Sequence, residues 1–248
     1  MTYCLGIVTN AGLIMAADSR THAGVDKVSS FQKLFDFSVP GERVILLCNS
    51  GSLSLTQGVL TLLRRDIKAK AEISLCACTT LYDVAYYIGR TIRHLHKQDG
   101  SWLRQDGIDF SCRFILGGQI LGESPELYLI YNEGNFIQAT QETPFFQIGE
   151  TKYGKPILDR TLSYETPLET AAKCALLSLD STMKSNLSVG PPLNLVMYEA
   201  NSFMIRHHLK LAGDNPYLLK ISEIWQNTLK QASEDMPAID WGASNLHA

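Results

Sequence analysis

The sequence has no run of the roughly 18 apolar residues that a membrane-crossing helix needs, so a membrane protein is not expected. It has no glycine-rich phosphate loop, internal repeat or low-complexity tract. It also has no surplus of basic charge. The net charge is −3 with no dense basic stripe, which removes the electrostatic reason to expect nucleic acid. The one small cluster, Arg64, Arg65, Lys68 and Lys70, reads as a solvated helix face. The start, Met1-Thr2-Tyr3-Cys4, lacks the basic and apolar segments of a secretory signal, so a cytoplasmic location is expected. In that setting the six cysteines are reduced thiols. Cys76 and Cys78 have no second ligand pair at a zinc-like spacing. His94 and His96 are two residues apart, the wrong interval for one helix face, and His207 and His208 would point to opposite faces of a strand. No metal or other cofactor is therefore expected.

What is present is ordinary for a globular chain: 248 residues, 45% apolar and 19% charged. That length is enough to bury a sizeable core, and no stretch reads as a linker, so one domain over 1–248 is expected. Strands are predicted at 3–9 and 13–18 around an Asn10-Ala11-Gly12 turn, then at 33–39 and 43–49. The stretch from Ser19 to Ser30 reads as a loop. Helices follow at 53–70 and 80–98. Strands return at 110–116, 127–131, 136–139 and 145–148, and helices at 151–162 and 166–184. The chain ends with strands at 193–199 and 202–210 and a helix at 215–232 in a C-terminal helical extension over about 211–248. The tail after Pro237 reads as loosely held. Strands come as hairpins and helices as pairs, which argues against a parallel βαβ fold. An α+β fold of two stacked antiparallel sheets between helix layers, αββα, is an economical solution.

The chain start carries the sharpest chemistry. Met1 is followed by the small residue Thr2, so removal of Met1 would expose a Thr with a hydroxyl and a free α-amine. A hydroxyl is a poor nucleophile until a base takes its proton, and an α-amine titrating near pH 7.7–8.0 leaves a large neutral fraction in the cell. One residue would then be nucleophile and base together. Asp18 closes the second strand and Lys33 opens the next. A cation beside the amine would disfavour its protonation and stabilise the alkoxide, and a carboxylate would hold that cation in place. The bland alternative is a surface ion pair worth roughly 0–1 kcal/mol.

Leu13-Ile14-Met15-Ala16-Ala17-Asp18-Ser19-Arg20, then Ala23-Gly24, then Lys33, resembles the opening of proteasome β subunits and of the bacterial protease HslV. Within that group of N-terminal-nucleophile hydrolases the chain is most similar to the Anbu branch. The features are Met1-Thr2-Tyr3-Cys4-Leu5-Gly6, Asp18-Ser19-Arg20-Thr21 and Ser188-Val189-Gly190-Pro191-Pro192. The resemblance implies that Thr2 is the nucleophile, that Asp18 and Lys33 complete the site, and that the Gly51 N–H forms the oxyanion hole. Ser19, Arg20, Asp180 and Ser188 become supporting groups, and Thr21 and His22 line the substrate pocket. Where most relatives have Gly-Ser-Gly, this chain has Gly149-Glu150-Thr151. The implied function is a threonine peptidase acting on peptides or unfolded proteins in a ring-like or helical homo-oligomer. Without a phosphate loop, ATP-driven unfolding would fall to a separate ATPase partner. Two other readings stay open: an amidase acting on small amides with the same parts, and a proteasome-fold subunit with a purely structural duty.

Overall fold

The computed structural model describes residues 2–22 and 28–240, apart from the side chains of His22, Val28 and Arg104. The chain opens with β1 (Tyr3–Thr9) and β2 (Gly12–Ala17), paired antiparallel from Cys4↔Ala17 to Thr9↔Gly12. Both strands are buried along their whole length. Strands covered on both faces read as continuous apolar runs. Tyr3, Leu5, Ile7, Ile14 and Ala16 face one layer, and Cys4, Val8, Leu13, Met15 and Ala17 face another. The period-two alternation thus sorts two apolar sets between two cores.

A short hairpin, β3 (Arg20–His22) with β4 (Val28–Ser30), comes next. It lies where the sequence predicts only a loop. Its polar residues carry no alternating apolar signal, so periodicity has nothing to detect. Then come β5 (Leu34–Asp36), β6 (Arg43–Gly51), α1 (Leu53–Lys68) and α2 (Leu81–Gln105). The middle of the chain forms β7 (Cys112–Ile120), β8 (Glu126–Ile130), β9 (Phe136–Gln138) and β10 (Phe145–Gly149). The last part is α3 (Lys155–Thr161), α4 (Leu168–Ser185), β11 (Leu193–Glu199), β12 (His207–Leu211) and α5 (Pro216–Glu234).

Two five-stranded antiparallel sheets result, in the orders β10-β1-β2-β11-β12 and β5-β6-β7-β8-β9. Between them, Cys4, Leu13, Met15 and Ala17 meet Leu46, Cys48, Ile115 and Leu127. The outer face of the second sheet, with Ile45, Leu47 and Leu116, packs under α1 and α2 through Val59, Leu63, Ile88 and Ile92. The outer face of the first, with Leu5, Ile7 and Ile14, packs under α4 through Ala171, Ala175 and Leu179. This is the αββα sandwich expected from the sequence. Several boundaries differ from expectation: β5 stops at Asp36, α2 runs on to Gln105, β7 runs on to Ile120, α3 starts at Lys155, and the last strand starts at His207. The expectation for the tail falls partly on residues 241–248, which lie outside the described residues.

Candidate active site

Thr2 lies at the open end of β1, held by its neighbours' backbone. Tyr3 pairs with Gly149, and the Glu150 N–H donates to the Thr2 carbonyl at 2.7 Å. Gly149 has φ +86°, and a Cβ there would overlap the Thr2 carbonyl oxygen, so only glycine lets β10 pass this close. The Tyr3 side chain fixes the strand from the other side. Its hydroxyl accepts from Gln147 Nε2 and donates to Ser178 Oγ at 2.6 Å, and Ser178 Oγ donates to the Gly154 carbonyl at 3.0 Å. Burial pushes the Tyr3 phenol up to about 12, so it stays protonated as a donor.

Asp18 immediately follows β2. Its Oδ1 accepts from the Tyr3 N–H at 2.9 Å and from Lys33 Nζ at 2.7 Å, and its Oδ2 accepts from the Gly190 N–H at 3.2 Å. Lys33 Nζ also donates to the Arg20 carbonyl at 2.5 Å, and the Lys33 carbonyl accepts from the Asn49 N–H at 3.0 Å. The two residues are 0% and 4% exposed, which eliminates the surface ion pair. Burial pushes the Asp18 carboxyl above the usual carboxylate range, while the Lys33 ammonium and the two N–H groups pull it back. Every partner of Asp18 is a donor, so the carboxylate form satisfies all of its contacts. Thr2, Asp18 and Lys33 are thus brought together through the Tyr3 amide and the shared Oδ1.

Gly51 ends β6 opposite Cys112, and the Ser52 N–H donates to the Ser111 carbonyl at 2.7 Å. Its φ is +107°, and a Cβ would overlap that same carbonyl oxygen. The next element, α1, has no side-chain cap and no acidic residue in its first turn. Its N-terminal N–H groups therefore keep their positive end unneutralised beside Gly51. A cleft of about 730 Å³ brings Thr2, Thr21, Gly51, Leu53, Arg113 and Asn132 to one surface. The His22 side chain expected there, like Ala23 and Gly24, lies outside the described residues.

The supporting residues divide. Ser19 Oγ accepts from Asn194 Nδ2 at 3.0 Å, joining β2 to β11. Arg20 donates to the Leu187 carbonyl at 2.8 Å, and its guanidinium lies against Gly190, so it braces the loop that supplies the Gly190 N–H to Asp18. Ser188 belongs to that loop, with its N–H donating to Asn186 Oδ1 at 2.9 Å. Asp180 lies on α4 off the buried face, and among the described residues it makes no hydrogen bond to the chain start.

Sequence reasoning named Glu150 and Gly190 without giving them a role, and it missed Ser178 and Asn186. Glu150 is buried and accepts from Asn186 Nδ2 at 3.1 Å and from the Lys152 N–H at 3.3 Å. The signal for Ser178 was its place on the apolar face of α4 with Ala171, Ala175 and Thr182. The other three carry no periodic signal. Among the described residues no helix is long and apolar enough to cross a membrane, and no cluster of His, Cys, Asp and Glu could hold a metal.

Solved Anbu structures are close to this one. The Anbu (ancestral beta-subunit) protein from Yersinia bercovieri is 43% identical, with a TM-score of 0.91 over 97% of this chain and 99% of that one. A helical assembly of the Anbu complex from Pseudomonas aeruginosa is also 43% identical, with a TM-score of 0.90 over 96% of this chain and 98% of that one. An Anbu (Gly-1) mutant from Hyphomicrobium sp. strain MC1 is 42% identical, with a TM-score of 0.90 over 97% of this chain and all of that one. A proteasome subunit beta from Haloquadratum walsbyi is 24% identical over 209 residues, 84% of this chain and 77% of that protein. No protein-family model matches the chain.

Proposed function

Since the chain belongs to the Anbu family of proteasome-related proteins, we propose that it is a threonine peptidase whose nucleophile is Thr2 after loss of Met1. The buried Lys33–Asp18 pair, tied to the amide next to Thr2, carries this reading. Two charges taken out of water cost several kcal/mol each, and a purely structural subunit gains little from retaining them at a chain end. In the proposed reaction the α-amine takes the proton of the Thr2 hydroxyl, and Oγ attacks the peptide carbonyl. The Gly51 N–H and the start of α1 receive the charge on the carbonyl oxygen. The α-ammonium returns its proton to the leaving amine, and an ester to Thr2 remains. Water, activated by the same amine, hydrolyses that ester and regenerates the hydroxyl. Lys33 disfavours protonation of the amine and favours the alkoxide through its fixed charge.

The first test is the mature N-terminus. Intact mass and N-terminal sequencing of active protein are expected to show Thr2 first, because a blocked amine cannot act as base. Active preparations that begin only with Met-Thr-Tyr would sink the mechanism. Peptide amides are expected to be cleaved in preference to small acyl amides, since a cleft of about 730 Å³ offers room for more than a small acyl group.

The second test is assembly. No residue of α5 is buried, and Tyr217, Leu219, Ile224 and Leu229 lie exposed along it. Apolar side chains left exposed along a helix suit a subunit contact. The protein is expected to sediment well above its 27.5 kDa chain mass, as a homo-oligomer. A monodisperse monomer in light scattering at micromolar concentration would contradict it.

A further inference from the structure

Beside the cleft lies a second cavity of about 400 Å³, and Asp109, Ser111 and Asn132 line both. His96 of α2 forms part of this second wall. Its Nε2 is 2.9 Å from Asn132 Oδ1, and the Cys112 N–H donates to the same oxygen at 3.0 Å. A backbone N–H can only donate, so the atom facing both is the amide oxygen of Asn132. His96 Nε2 must then carry a hydrogen and donate it. The imidazole also meets the Phe110 ring edge-on, with centroids 5.3 Å apart. His96 thereby reaches the 109–112 segment at two points: Phe110 directly, and Cys112 through Asn132.

That segment is the one against which Gly51 is set. Cys112 is the first residue of β7 and faces Gly51 across the last pair of the ladder, and the Ser111 carbonyl receives the Ser52 N–H. Beyond this pair the Ser52 N–H bond to Ser111 is the last backbone tie between the two strands, so the direction of the Gly51 N–H depends on where residues 111 and 112 sit. Asn132 Oδ1 satisfies the Cys112 N–H in place of a further strand partner, and His96 holds Asn132.

We propose that His96 is a positioning residue of this cleft: through its Nε2–H on Asn132 it fixes the Cys112 end of β7 and so aims the Gly51 N–H at the reacting carbonyl oxygen. The inference rests on the role of Gly51 proposed above. Its effect belongs to the transition state, because an oxyanion donor acts where charge develops and contributes little to ground-state binding.

Two variants separate the donor from the packing. His96→Phe keeps a ring against Phe110 but has no N–H; His96→Gln loses the ring but places an amide N–H near the original Nε2. Steady-state kinetics on a fluorogenic peptide and thermal melting should be measured for both, alongside wild type and Thr2→Ala. His96→Phe is expected to lower kcat by about tenfold with KM within about twofold, the scale of a small misplacement of a catalytic group. His96→Gln is expected to stay within about threefold of wild-type kcat. A wild-type kcat in His96→Phe would overturn the inference. So would the reverse order, Gln impaired and Phe active, which marks packing against Phe110 as the role. A wild-type rate no higher than that of Thr2→Ala would instead overturn the functional reading itself, and this inference with it.

Discussion

Thr2→Ala is expected to lower peptide hydrolysis by on the order of 10³-fold or more while the protein folds and assembles as before. The change removes one hydroxyl and one methyl from a half-buried residue. What fixes the chain there is backbone: the Thr2 carbonyl bonded to the Glu150 N–H and the Tyr3 N–H bonded to Asp18. Neither depends on the Thr2 side chain, so stability should shift by no more than about 0.5 kcal/mol. Alanine is also small, so Met1 should still be removed and the α-amine remain. The variant therefore isolates the nucleophile from the base. Thr2→Ser, which keeps the hydroxyl, should retain turnover within about tenfold. Equal rates for Thr2→Ala and wild type, both above buffer, would place the chemistry on another residue. No hydrolysis by the wild type on any peptide would favour the structural-subunit reading.

The opening hairpin was legible because its burial is uniform. β1 and β2 are apolar from end to end, with a turn signal between them, and the strand expected at 3–9 matches Tyr3–Thr9. The stacking of the sheets was reached as an economical solution, and the separate apolar sets on the two faces of β1 and β2 are what realise it. The meeting of Asp18 with Lys33 is not readable from spacing. The chain between them passes through a small polar hairpin, and the contact depends on how Lys33 re-enters beside Asn49. Resemblance brought these residues together, and the geometry shows the pair to be buried. The supporting shell was the least legible part. Glu150–Asn186 and Asp18–Gly190 join residues 36 and 172 positions apart, and no periodicity encodes such partners. On α4 the choice of Asp180 followed the resemblance, which implies a supporting acid near the end of that helix. Helix-face geometry points two residues earlier, to Ser178, whose neighbours on the buried stripe are Ala171, Ala175 and Thr182.

The second large effect is expected from Lys33, and it should appear in activity and stability with different pH signatures. Lys33→Ala removes the fixed cation and should cost at least ~3 kcal/mol of transition-state stabilisation, about a hundredfold or more in kcat/KM. It also strands Asp18, which is 0% exposed. Losing one partner of a buried pair costs about 3–5 kcal/mol when the other stays charged. Burial already pushes the Asp18 carboxyl up, and Lys33 is the largest influence pulling it down, so in the variant it should rise further. A folded-state pKa above the unfolded value gives stability that is present at low pH and lost as pH rises through the folded value. Lys33→Ala should therefore melt higher at about pH 5 than at about pH 8. Adding Asp18→Asn removes the titrating group. The double variant should lose that pH dependence and recover stability at neutral pH, though not fully, because an amide NH2 in place of Oδ2 would meet the Gly190 N–H donor to donor. Its activity should stay as low as that of Lys33→Ala, since the cation is still missing. Circular dichroism melts at both pH values, with kinetics on a short fluorogenic peptide below each melting temperature, read the two effects separately. Recovery of both stability and turnover in the double variant would show that Lys33 serves only to neutralise Asp18. Recovery of stability alone would place the Lys33 charge in the reaction.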